Sequence, residues 1–183
     1  MEVTRIEDTD VLLIEPSVHG DDRGFFMETW SSHRFRAIGV DAEFVQDNFS
    51  RSQRGVLRGL HYQIDHPQGK LVRCTRGSVY DVAVDIRRSS ETFGRWVGRI
   101  LSEENRHSMW IPPGFAHGFL TLSDVADFQY KCSDVYHPPG ERTIRWDDPT
   151  IGIDWPIIEG RGIVLSDKDA NHAVSFSEAE IFA

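Results

Sequence analysis

The sequence predicts an all-β fold, a sandwich or barrel with few helices. Three observations carry that expectation. The most regular segments alternate apolar and polar residues with a period of two, turn residues interrupt them at short intervals, and helix signals are confined to two short stretches. With 183 residues, 39% of them hydrophobic and 27% charged, the chain reads as one domain over 1–183 with a substantial core.

In chain order, "SSHRFRAIG" (31–39) predicts a short helix capped by Ser31 or Ser32 and stopped by Gly39. "GLHYQ" (59–63) reads as strand, and a further strand follows Lys70. In "SVYDVAVDIR" (78–87) Tyr80, Val82, Val84 and Ile86 alternate with Asp81, Ala83 and Asp85, the pattern of a strand with one buried face. "RWVGRIL", "HSMWI", "GFLTL" and "RTIRW" are shorter strand candidates. "ADFQYKC" repeats the alternation, with Ala126, Phe128, Tyr130 and Cys132 on one face. Gly77, Pro112-Pro113-Gly114 and Pro138-Pro139-Gly140 supply turns. "SEAEIF" near the C-terminus is the second helix candidate.

The net charge of −9 argues against broad binding to nucleic acid or an anionic membrane. No apolar run approaches the length of a membrane span. "MEVTRIEDTD" lacks the basic and apolar regions of a secretory signal, and Cys74 and Cys132 form no disulfide framework. The expected location is cytoplasmic. Against this acidic background, residues 51–76 hold six Lys/Arg and a single acid, Asp65. That local reversal of sign points to a compact anion handled nearby.

Within that stretch His61 is either a structural hydrogen-bonding residue or a base. Neighbouring cations would keep it neutral but weaken it, so a base would want a carboxylate partner. Asp167 and Asp169 in "LSDKDA" are candidates, although their spacing favours a turn or helix cap. Lys70 is either an exposed strand-end lysine or a cation that stabilises negative charge on oxygen. Tyr130 stands equally for core packing and for a general acid. "PPGFAHGF", with His117, resembles half of a metal-binding cupin signature. No HxH pair accompanies it, so a metal-dependent cupin is disfavoured.

The stretches "GDDRGFFMETW", "FVQDNFSRSQRGVLRGLHYQ", "GKLVRCTRGSVYDVAVDIRRSSETFG", "WIPPGFAHGFLTLS", "YKCSDVYHPPGER", "IDWP" and "LSDKD" together resemble the dTDP-4-dehydrorhamnose 3,5-epimerase family over nearly the whole chain. The resemblance implies a cupin-type jelly-roll β-sandwich and a homodimer with exchanged N-terminal strands. It also implies catalysis without metal or organic cofactor, on a dTDP-4-keto-6-deoxyhexose. By the same resemblance His61 falls at the base, Asp169 at its partner, Tyr130 at the acid and Lys70 near the 4-keto oxygen. Arg23, Glu28, Gln46, Asp47, Asn48, Arg58, His117, Glu141 and Lys168 fall at substrate-binding positions, with Arg23 and Arg58 at the diphosphate. Relatives on this scaffold epimerise C3, C5 or both, or move the ketone between C3 and C4. A non-catalytic nucleotide-sugar-binding cupin is the remaining alternative.

Overall fold

The computed structural model describes residues 1–157, 160 and 162–183. Strands β1 (Glu2–Arg5), β2 (Leu12–Glu15), β3 (Val18–Asp21) and β4 (Gly24–Met27) lead into helix α1 (Ser32–Ala37). The central strands are β5 (Gln46–Gln53), β6 (Leu57–Gln63), β7 (Lys70–Arg76), β8 (Ser78–Asp85) and β9 (Trp96–Ser102). After them come β10 (Ser108–Ile111), β11 (Phe115–Thr121), β12 (Val125–Cys132), β13 (Glu141–Thr143) and helix α2 (Asp167–Asn171). One sheet runs β1-β2-β10-β7-β12-β5, a second β13-β6-β11-β8-β9, and β3-β4 is a separate hairpin. This is the antiparallel sandwich the alternation predicts.

Between the sheets lies a core of Val72, Val79, Ala83, Met109, Ile111, Phe119 and Phe128. Each of these side chains larger than alanine contributes about 1.5–3 kcal/mol by leaving water. The outer face of the five-stranded sheet is buried too. Leu60, Tyr62, Val82, Val84 and Leu120 pack there against Ile144, Ile151 and Trp155 of the C-terminal segment. The bridges Val56–Val164, Ile144–Val174 and Arg87–Phe182 fasten that segment to the sheet.

That cover corrects the one-faced reading of β8. Asp81 and Asp85 are as fully buried as Val82 and Val84, because the sheet is sandwiched on both sides. Helix α1 forms where predicted, with Ser31 at its N-cap but making no side-chain cap bond, and Gly39 beyond its end at φ +91°. "SEAEIF" is not a helix: a turn at 176–178 leads to an extended stretch in which Phe182 bridges Arg87. Pairing to the sheet edge there satisfies backbone groups that six residues of helix would leave open.

Strands β6 and β11 approach unusually closely where two glycines meet. A Cβ at Gly59 (φ +143°) would lie 2.6 Å from the Gly118 Cα, and one at Gly118 2.7 Å from the Arg58 carbonyl oxygen. The register between the strands shifts at this point, just after the His61–His117 pair. Gly118→Ala should therefore push the strands apart and destabilise the protein by about 1–3 kcal/mol. Thermal unfolding should read this as a midpoint lower by about 2–4 °C per kcal/mol; an unchanged midpoint would show that the strands yield freely.

Candidate active site

Toward one end the sandwich opens into a cleft with about 580 Å³ of empty space, its mouth included. The five-stranded sheet supplies His61 and Gln63 from β6, whose alternate residues Leu60 and Tyr62 face the outer core. The six-stranded sheet supplies Lys70 from β7, Tyr130 from β12, and Gln46 and Asn48 from β5. Tyr136 and Glu141 complete the rim.

His61 Nε2 lies 2.5 Å from Asp169 Oδ1. Ser166 caps α2 by accepting the Asp169 N–H, and this cap places the carboxylate in the helix's first turn. The cap expected from "LSDKDA" thus lies in the same segment that brings Asp169 to His61. Burial lowers the pKa of His61; the Asp169 hydrogen bond and charge oppose that, and Lys168 and Lys70 reinforce it. Burial works to raise Asp169, but its bond and charge interaction with His61 hold it below the usual carboxylate value. With Nε2–H donated to the carboxylate, the imidazole keeps Nδ1 as its free lone pair.

Desolvation pulls the Lys70 ammonium below the usual lysine value, against Cys132, Asp81 and Glu141. An anion arriving beside it would favour its charged form. Tyr130 packs against the apolar core, as one expectation has it, and the same side chain lines the cleft. Burial raises its pKa and keeps the phenol protonated, the state an acid requires. Glu141 accepts from Lys168 at 2.7 Å and from the Tyr136 hydroxyl at 2.9 Å.

Other expected residues stand apart from the cleft. Asp47 points outward from β5 and ion-pairs with Lys131. Arg58 donates from Nε to the Ser52 hydroxyl at 3.1 Å. His117, buried and stacked on Phe128, meets Asp81 at 2.9 Å. Asp81 Oδ1 has no partner among the described residues. Arg23, its side chain 90% exposed and paired with Asp21, sits on the β3–β4 hairpin, and Glu28 pairs with Arg34 just beyond it.

The basic run at 51–76 does not converge on one pocket. Arg51 faces outward from β5 and pairs with Asp127, Arg54 in the turn after β5 pairs with Asp124, and Lys70 alone of the six lines the cleft. Asp81 was assigned to a polar face, and only Ala83 between two aspartates hinted that this face was buried. Gln63 carried no signal. Among the described residues no three His, Cys, Asp or Glu side chains are grouped to hold a metal ion, and no helix is long and apolar enough to cross a membrane.

Residues 4–177 match the family model described as dTDP-4-dehydrorhamnose 3,5-epimerase. The chain is 55% identical over 183 residues to dTDP-4-dehydrorhamnose 3,5-epimerase of Pseudomonas aeruginosa, covering 100% of this chain and 99% of that one. It is similar, with a TM-score of 0.94 and 52% identity, to the Legionella pneumophila dTDP-6-deoxy-D-glucose-3,5-epimerase solved with dTDP-4-keto-L-rhamnose; the match covers 98% and 94% of the two chains. A 3′-monoepimerase of Streptomyces bikiniensis, solved with dTDP-quinovose, superposes with a TM-score of 0.84 at 37% identity, covering 91% and 84%. These likenesses make the sandwich cupin-type, and the chain belongs to the dTDP-4-dehydrorhamnose 3,5-epimerase family of isomerases.

Proposed function

We propose that this protein epimerises a dTDP-4-keto-6-deoxyhexose at C3 and C5, the carbons flanking the ketone, in dTDP-rhamnose biosynthesis. One observation carries the reading. His61, paired with Asp169, and Tyr130 line a single cleft from opposite sheets, with half-buried Lys70 in the same wall as Tyr130. His61 takes the proton from carbon, and the C–H electron pair moves into the ring as the ketone oxygen becomes an enolate oxygen. Lys70 stabilises that oxygen. Tyr130 returns a proton to the other face, and solvent restores both groups. The net change is one inverted centre, with no redox step.

The test is incubation with dTDP-4-keto-6-deoxyglucose in D₂O, followed by NMR. Deuterium at both C3 and C5 is expected. Label at C3 alone would make the chain a single-site enzyme like its 3′-monoepimerase relative, and no label would overturn the reading.

His61→Asn should fold and lose exchange by about two to four orders of magnitude. In Asp169→Asn the partner that raises the His61 pKa is gone, so that pKa falls further below its usual value. Since the base must be neutral, the acid limb of kcat/KM should move to lower pH while the plateau drops on the order of 10²-fold. A limb displaced to higher pH would contradict this account.

Tyr130→Phe removes the hydroxyl and keeps the ring's packing. His61, Asp169 and Lys70 remain, so deuterium uptake should persist while inverted product becomes scarce. If both signals fell together, Tyr130 would also be supporting the enolate.

We also infer a homodimer in which the β3–β4 hairpin lends Arg23 and Glu28 to the neighbour's cleft. Both lie outside their own chain's cleft, and Phe25 and Phe26 of the hairpin are 57% and 71% exposed. Sedimentation should give about twice the 20.9 kDa chain mass; a fully active monomer would refute the exchange.

A further inference from the structure

The stretch that follows β12 crosses the mouth of the cleft, and two glutamines hold it, one from each sheet. Gln46 of β5 accepts the Tyr136 N–H at 2.8 Å, and Gln63 of β6 accepts the His137 N–H at 2.8 Å. Gln63 does more. Its Nε2 donates to the Val135 carbonyl at 3.2 Å and to the His66 carbonyl at 2.7 Å. This side chain is 4% exposed, and both amide hydrogens and the carbonyl oxygen are engaged with main chain. It therefore lines the cleft while offering no free donor to a ligand.

The three bonds tie together the loop after β6 and the turn after β12. At their far end these segments are already joined, by Gly69 N–H to Ser133 Oγ at 2.7 Å and by Gln68 Nε2 to the Asp134 carbonyl at 2.8 Å. Gln63 closes the near end. The position of Tyr136 then passes to Glu141 through a 2.9 Å hydrogen bond, and from Glu141 to Lys168 at 2.7 Å.

We propose that Gln63 is a positioning residue for nucleotide-sugar binding, acting through the Val135–His137 main chain to set the Tyr136–Glu141 wall. The proposal rests on the epimerase reading for its substrate and on the geometry alone for its structural part. His61, Asp169, Lys70 and Tyr130 are held by strand and helix contacts that Gln63 does not make. Its loss should therefore fall on KM and spare kcat.

Gln63→Leu keeps the approximate volume and removes every bond. We expect KM for dTDP-4-keto-6-deoxyglucose to rise about tenfold, kcat to stay within about threefold, and backbone amide exchange over 133–137 to quicken by about two- to tenfold, the loss of about one net hydrogen bond. Combined with Tyr136→Ala, it should raise KM by less than the product of the two single effects, since each change disables the same wall. Should Gln63→Leu fail to fold, Gln63→Met, closer in shape and equally without these hydrogen bonds, should show the same KM rise. A folded variant with unchanged KM would overturn the proposal, as would a fall in kcat alone or multiplicative effects with Tyr136→Ala. Wild-type protein that leaves the sugar unchanged would instead refute the epimerase reading, and amide exchange would still decide whether Gln63 holds the turn.

Discussion

The contact between His61 and Asp169 joins residues 108 positions apart, and the layout of the cleft depends on it. After β13 the chain runs along the outer face of the five-stranded sheet, where Ile151 and Trp155 bury against Val82, Val84 and Leu120. The Val56–Val164 bridge ends that run two residues before Ser166. Ser166 then caps α2, and Asp169 reaches the strand that carries His61. Apolar burial on one face of a sheet thus delivers a carboxylate to a histidine on the other. Burying Asp169 is unfavourable by itself, and the bond and charge of His61, the Ser166 bond and the Lys168 charge together offset that cost.

The cleft end of the sandwich is a different physical environment from the rest. Met109, Ile111 and Phe128 fill the space between the sheets, whereas Lys70, Asp81, Glu141, Lys168 and Asp169 share the polar region around His61. Pairing limits the penalty: Glu141 answers Lys168, and Asp169 answers His61. Among the described residues Lys70 has no such close partner, and desolvation leads the influences on it. A cation held in that state is stabilised by whatever negative charge arrives. Fixed charges in a region of low dielectric act on a developing anion without the reorganisation that water would require.

Strands with a strict period were legible because their pattern is local. Residues 126–132 and helix α1 formed where the alternation and the Ser31–Gly39 punctuation placed them. The burial of Asp81 was not legible, since it depends on a second sheet and on His117, 36 residues away. The basic run at 51–76 misled for a related reason: composition counts charges, while β5 directs Arg51 to Asp127 and the following turn directs Arg54 to Asp124. "SEAEIF" failed as a helix because a backbone partner at Arg87, remote in sequence, was available. His61, Lys70, Tyr130 and Asp169 were recognised through motif resemblance, and their convergence could be seen only once both sheets were in place.

Placing base and acid on different sheets has a stereochemical consequence for the proposed reaction. A flat enolate between two walls presents one face to each. His61 projects from the five-stranded sheet and Tyr130 from the six-stranded sheet. A proton removed at one wall and returned at the other must invert the carbon, whichever neighbour of the ketone lies between them. Inversion at C3 and at C5 then differs only in how the ring is turned between fixed walls, because both carbons flank the same ketone and share one enolate oxygen. The wall built from Tyr136 and Glu141 borders that same space, with Tyr136 in the turn after β12 and Glu141 at the start of the short edge strand β13. In the proposed reaction the facing His61 and Tyr130 would make inversion the outcome, and the Tyr136–Glu141 wall would bear on which carbon is presented to them.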